Sequence, residues 1–267
     1  MGINFSIVIA CKQFDTDLSE TLASIAGQNL DLVSRIRVVL QIKSYARCST
    51  SRKIRADAKK ILLGRGVELI ELNKNDSGVY SALNIALEEI LKDSYVLVLG
   101  QGDKLSDSGV LKKISYSIEK GIEEGKRPLL VSGHLEFIKN GEAVRFWRVR
   151  AYQSVFEFQV RALPHLSTFI HSDIYSLYGH YDESFQIAGD YEFFLRLSKT
   201  RDILASIVFA DVDVSAATLG GLSTSWTSAL VIAREDLRAL RKHNVPAWTL
   251  LIKKLVKVSQ IRVPKLL

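Results

Sequence analysis

Phe5-Ser6-Ile7-Val8-Ile9-Ala10 opens the chain with a short, β-rich apolar run, and the alternation of elements that begins with it decides the fold. A run of this kind with polar neighbours reads as a buried strand. Asp17-Leu18-Ser19-Glu20 then has the pattern of a capping box, starting a helix with Leu18, Leu22 and Ile25 on one face. Ile36 to Leu40 reads as a second strand, and Ser51 to Leu63 as a basic helix stopped by Gly64 and Gly66. Val67 to Leu72 gives a third strand, Val79 to Leu91 a helix and Tyr95 to Leu99 a fourth strand. Strands separated by helices of this length form βαβ units, so a mixed, mainly parallel sheet of the α/β class is expected.

Ligands of such sheets bind beyond the carboxyl ends of the strands. That rule singles out Ala10-Cys11, Gln41 to Ser44, Asn73 to Gly78 and Gly100 to Asp103. Further along, Leu135 to Ile138 and Ala143 to Val149 flank Asn140-Gly141, a hairpin turn signal. Leu230 to Leu240 reads as a helix, and Pro246 separates it from an apolar, lysine-bearing stretch over Trp248 to Ile261.

With 267 residues, 47% of them hydrophobic, the chain can bury a sizeable core. Two cysteines, Cys11 and Cys48, make neither a disulfide framework nor a zinc site. Cys11 reads as a small buried hydrophobe rather than a nucleophile. The first strand comes after Met1-Gly2 without the order of a signal peptide, and no run has the length of a membrane span, so a cytoplasmic protein is expected. The net charge of +7 suits anionic partners. Nucleic acid is disfavoured, because no aromatic interleaving or known module accompanies the charge.

Two stretches carry chemistry. Asp76-Ser77-Gly78-Val79-Tyr80-Ser81-Ala82-Leu83-Asn84 places an acid and a glycine just before a helix N-terminus, where backbone N–H groups can meet a diphosphate. From these residues alone, a capped helix with a turn glycine explains them as well. Asp190-Tyr191-Glu192-Phe193-Phe194-Leu195-Arg196-Leu197 places an acid in the first turn of an amphipathic helix, as an N-cap, a base over a cleft, or both. Upstream of it lie Pro164-His165-Leu166-Ser167-Thr168-Phe169 and Gly179-His180-Tyr181-Asp182-Glu183.

The order of these pieces resembles the family 2 glycosyltransferases of GT-A fold, in particular those of bacterial surface polysaccharides such as colanic acid. Residues 76–84 are similar to the family's Asp-x-Gly-Ile-Tyr-Asp-Ala-Met-Asn string, and Leu99-Gly100-Gln101-Gly102-Asp103 stands where its metal and diphosphate motif falls. The resemblance implies a GT-A domain over 1–215 with a helical extension over 216–267. It implies inverting transfer of a sugar from a nucleotide-diphosphate donor to a glycan or lipid-linked acceptor, with Asp190 as the base. Ala10, Cys11, Gln41, Asp76, Gly78, Asn84, Gln101, Gly102 and Asp103 would then line the donor site, with Asp103 holding Mg²⁺ or Mn²⁺. His165, Gly220 and Gly221 would line the acceptor or diphosphate pocket, unless His165 is structural. Two positions depart from the family: Gly100 replaces an acid or amide, and Gln41 replaces an Asp. They favour, as the alternative, a non-catalytic relative that binds glycan or a partner enzyme. Leu251, Leu255 and Val258 share a helical face, for packing on the domain or for the cytoplasmic surface of the inner membrane.

Overall fold

The computed structural model describes residues 2–44, 49–200, 202–219 and 226–260. The elements alternate as β1 (Ile3–Cys11), α1 (Thr16–Ala26), β2 (Val33–Ile42), α2 (Ser49–Gly64), β3 (Glu68–Leu72), α3 (Val79–Leu87) and β4 (Tyr95–Gly100). After these come β5 (Lys104–Leu105), α4 (Val110–Glu123), β6 (Leu130–Lys139), β7 (Glu142–Trp147), α5 (Val155–Arg161), β8 (Thr168–His171), α6 (Ser172–Tyr178) and α7 (Gly189–Leu197). The last are β9 (Ile207–Thr218), α8 (Trp226–Lys242) and α9 (Thr249–Ser259).

All nine of these strands join one mixed sheet in the order β3-β2-β1-β4-β8-β6-β9-β5, with β7 paired to β6. β1 to β4 are parallel, β8 runs against both β4 and β6, and β9 runs parallel to β6. Two reversals through β8 therefore point β6 and β9 the same way as β1 to β4. Their carboxyl ends share one edge of the molecule, where the loops singled out from the sequence gather.

Alternation along β1 builds both cores. Phe5, Ile7 and Ile9 face α1, α2 and α4 in one apolar cluster, while Val8 faces α3 and the later helices in a second. Ala239, Leu240 and Val245 belong to the second cluster, so the end of α8 and the turn after it pack on the same core as α7.

Several boundaries differ from the sequence reading. The first helix is capped by Asp15, whose side chain accepts from Leu18 N at 3.0 Å, and Asp17 lies in its first turn. A carboxylate before the helix reaches the free N–H groups, whereas one inside the first turn contributes only through the dipole. The expected hairpin forms around Asn140 and Gly141, with φ of 53° and 82°. Both central residues are left-handed, as a tight hairpin turn requires.

The pairing of β6 with β9 is irregular on either side of His134. Gly133 leaves room for it: a Cβ there would stand 2.5 Å from Val212 O and 2.6 Å from Val214 Cγ2. Backbone occupies the space a side chain would need. Gly133→Ala is expected to cost about 1–3 kcal/mol of stability by overpacking, read as a lower midpoint in denaturant unfolding.

Candidate active site

Tyr80, in the first turn of α3, joins the two halves of the sheet edge. Its hydroxyl donates to Ile187 O at 2.6 Å and accepts from Asp190 N at 3.1 Å, with Asp190 Oδ1 3.4 Å away. Burial, and next the charge of Asp190, push the phenol well above its ordinary value, so it remains a protonated donor. The contact needs Gly189, where a Cβ would meet the Tyr80 ring at 2.7 Å. The motif at residues 76–84 and the helix at residues 189–197 are thus brought together by one side chain.

Asp190 lies inside the first turn of α7, which begins at Gly189 and has Ala188 at its N-cap. It is not the N-cap that the sequence also allowed. Its Oδ1 accepts from Tyr191 N at 2.8 Å, and its Oδ2 has no hydrogen-bond partner among the described residues. The carboxylate is half-buried, fixed on one oxygen and open on the other.

The loop before Asp190 is clamped from α8. Glu235 accepts from Gln186 N at 2.6 Å, Ile187 N at 2.9 Å and Ala188 N at 2.8 Å. The next anchor is Glu192, fully buried and bonded to His243 and Lys242 at 2.8 Å each and to Arg196 at 3.2 Å. Burial opposes its charge, yet His243, Lys242 and Arg196 together hold its carboxyl below the ordinary range.

His165 stands behind this layer. Its Nε2 lies 2.6 Å from the Tyr181 hydroxyl, and Tyr181 packs against the Tyr80 ring at 5.6 Å. Burial holds the imidazole below its usual value against the pull of Asp190, so it is neutral at neutral pH. Asn84 is spent on the same wall: it donates to Tyr181 O and Glu183 Oε1, each at 2.9 Å, and accepts from Tyr181 N at 3.0 Å.

Among the residues the resemblance assigns to a donor, Ala10 near the end of β1 is flanked in register by Gln41 and Gly100. Gln41 is buried, donating to Lys74 O at 2.6 Å and Asp76 Oδ2 at 3.2 Å. An aspartate at this position would face Asp76 as a like charge, whereas the amide can donate. Asp76 is thereby held at the mouth of α3, beside Gly78 at its N-cap. Gln101 accepts from Lys12 N at 2.8 Å and donates to Asp15, tying the loop after β4 to the one after β1. Cys11 is buried, its thiol pushed up to about 12 by desolvation first and then by Asp15 and Glu71, which suits packing and not nucleophilic chemistry.

Asp103 faces inward. Its Oδ2 accepts from Gly100 N at 2.8 Å and its Oδ1 from Thr218 N at 3.1 Å, bracing the β4 turn against the end of β9. It is 6% exposed, and burial raises its carboxyl above the ordinary range against those two amides. A Cβ at Gly100 would stand 2.6 Å from Asp103 Oδ2, so the glycine makes room for this inward turn. Gly102 N donates to Thr21 Oγ1 at 3.0 Å. No group of three or more His, Cys, Asp or Glu able to hold a metal ion is found among the described residues. A buried carboxylate with both oxygens on backbone amides does not fit Mg²⁺ or Mn²⁺, which take open oxygen ligands. Gly220 and Gly221 lie outside the described residues.

Tyr80, within the quoted motif, was legible as a helix residue but not as the bridge to Asp190. Glu235 and Lys253 gave no signal, since their partners are distant in sequence. Leu251, Leu255 and Val258 are 65%, 69% and 62% exposed, so the face read for packing on the domain or for a membrane surface points outward. The described residues contain no helix long and apolar enough to cross a membrane.

A mixed, mainly parallel sheet with helices on both faces, in this strand order, is the GT-A glycosyltransferase fold. Staphylococcus aureus TarS 1–349 in complex with UDP-GlcNAc is similar at a TM-score of 0.61 and 16% identity, covering 96% of this chain and 71% of that one. The mannosyltransferase PcManGT of Pyrobaculum calidifontis, in complex with GDP-Man and Mn²⁺, is similar at 0.58 and 11% identity, covering 96% and 72%. GalNAc-T7 with UDP, GalNAc and Mn²⁺ reaches 0.60 at 12% identity, covering 92% of this chain and 50% of that one. A longer TarS chain is spanned over only 42% of its length. No protein-family model matches the sequence, and no curated protein matches it.

Glu235→Ala is expected to free the three backbone N–H groups it binds, leaving α7 folded but its approach loose. Hydrogen exchange should rise at residues 186–188, with a stability loss of about 1–3 kcal/mol. Unchanged protection there would remove the clamp.

Proposed function

We propose that the chain is an inverting glycosyltransferase that moves a sugar from a nucleotide-diphosphate donor to a hydroxyl acceptor, with Asp190 as the base. The observation that carries this reading is the Tyr80–Asp190 contact, which sets the open carboxylate oxygen at the mouth of the donor motif. Asp190 Oδ2 accepts the proton of the acceptor hydroxyl as that oxygen attacks the anomeric carbon. The bond from the anomeric carbon to the diphosphate oxygen breaks, and the nucleotide leaves with the electron pair. Attack from the face opposite the leaving group inverts the configuration. Asp76, held by Gln41, and the N-terminus of α3 behind Gly78 receive the donor. The complexes of similar fold with UDP-GlcNAc and GDP-Man support a sugar nucleotide as donor.

The sequence resemblance supports a role in bacterial surface polysaccharide assembly, on a glycan or lipid-linked saccharide. The outward apolar face of α9, with exposed Trp248 beside Phe156 at 5.4 Å between rings, supports peripheral attachment at the cytoplasmic side of the inner membrane. A second reading, a non-catalytic relative that binds glycan or a partner enzyme, is favoured by the inward turn of Asp103.

Asp190→Asn decides between them. With a panel of UDP-, GDP- and dTDP-sugars, the intact chain is expected to bind one nucleotide class by calorimetry. The variant should keep that binding and lose turnover about 10²–10⁴-fold. Folded protein that binds no donor would establish the non-catalytic reading. Separately, Leu251→Asp with Leu255→Asp is expected to abolish co-sedimentation with anionic liposomes. Equal sedimentation of the double variant would discard the membrane assignment.

A further inference from the structure

Helix α9 presents Leu251, Leu255 and Val258 to solvent and turns Lys253 toward Tyr191. Lys253 points inward, 3.2 Å above the Tyr191 ring, and pairs with Asp236 Oδ1 at 2.6 Å. Tyr191 is the neighbour of Asp190. Lys257 lies one turn further along α9, and its ammonium has no hydrogen-bonded or ion-paired partner among the described residues.

Gln260 continues the same side of the helix and grips β7. Its Oε1 accepts from Arg145 Nε at 3.0 Å and Nη2 at 2.6 Å, and its carbonyl accepts from Phe146 N at 3.0 Å. The Arg145 guanidinium lies 4.3 Å over Phe137, near the carboxyl end of β6, and its Nη1 has no acceptor among the described residues. Lys253, Lys257 and Gln260 thus share one side of α9, which starts at the neighbour of Asp190 and has Arg145 bonded at its far end. One carboxylate, Asp236, is paired directly with this row.

Like charges gathered against a partly buried wall repel unless an anion lies among them. Burial first, then Arg145 and Lys253, hold the Lys257 ammonium below its usual value, and burial pushes Arg145 down to about 10. Asp103 is turned inward, with both carboxylate oxygens on backbone amides.

We propose that Arg145, Lys253 and Lys257 form a phosphate-binding subsite beside Asp190, taking a phosphoryl or diphosphate group of a substrate. Lys257 and Arg145 Nη1 make the contacts; Lys253, paired and buried, fixes the end of the row. The anion has two possible sources: the diphosphate of the donor, or a phosphate carried by the acceptor. Assigning it to a substrate rests on the reading of Asp190 given above, whereas the binding of the anion does not.

The test is calorimetric titration of the intact chain with sodium pyrophosphate in EDTA, for the unaltered protein, Lys257→Gln, Arg145→Gln and Lys257→Arg. Saturable binding is expected, weakened about tenfold or more in each Gln variant, as the loss of a charged hydrogen bond implies. Lys257→Arg should bind within about threefold of the unaltered protein, since the charge is kept. No binding by the unaltered chain, or unchanged affinity in both Gln variants with unaltered melting, would overturn the subsite. With UDP or GDP present, competition identifies the donor diphosphate as the occupant, and independent binding identifies an acceptor phosphate. A failed turnover assay leaves the pyrophosphate isotherm unmoved, so the two proposals fail separately.

Discussion

The hydroxyl of Tyr80 is the contact on which the arrangement of the edge depends. It is the meeting point of residues more than a hundred positions apart, one from the parallel half of the sheet and one from the mixed half. The geometry survives because three conditions coincide. Gly189 leaves room for the ring, burial keeps the phenol protonated, and Glu235 holds the backbone that the hydroxyl reaches. A buried hydroxyl between a carbonyl and an amide is fully used, and leaving either group unpaired would cost about as much as a lost hydrogen bond. The open oxygen of Asp190 is thus set by packing and by the hydrogen bonds around it.

Charge at this edge is distributed differently from what the motifs suggest. The carboxylate after β4 serves as a brace between backbone amides, and the amide at the end of β2 serves as a donor to Asp76. Gly100 and Gln41 are therefore linked to their surroundings: one makes room for the inward carboxylate, the other avoids a buried like-charge pair. The cations stand instead on α9 and β7.

The α/β class and the first four strands were legible because apolar runs alternate with helical periods, a signal each segment carries on its own. The carboxyl edge came from the general rule for such sheets. Boundaries shifted by a few residues, as at the cap of α1, because Asp15 and Asp17 are both acceptable caps and only backbone direction selects between them. The orientation of α9 met a harder limit. Its apolar stripe at Leu251, Leu255 and Val258 was plain, but periodicity gives a face without saying which way it turns. The helix turns Lys253 inward because Asp236 and the Tyr191 ring can receive a buried ammonium.

By itself the sequence determined the α/β class, the places where loops could meet a ligand, and Asp190 as the carboxylate to examine. These are local properties, carried by period, composition and short motifs. Only the tertiary structure decided what each polar side chain is bonded to. It showed Asp103 spent on backbone and Asn84 on Tyr181 and Glu183, Tyr80 and Glu235 fixing Asp190, and Lys257 left without an ion-paired partner among the described residues. A hydrogen bond between residues about a hundred apart has no signature in either segment, because the partner exists only once the chain has closed.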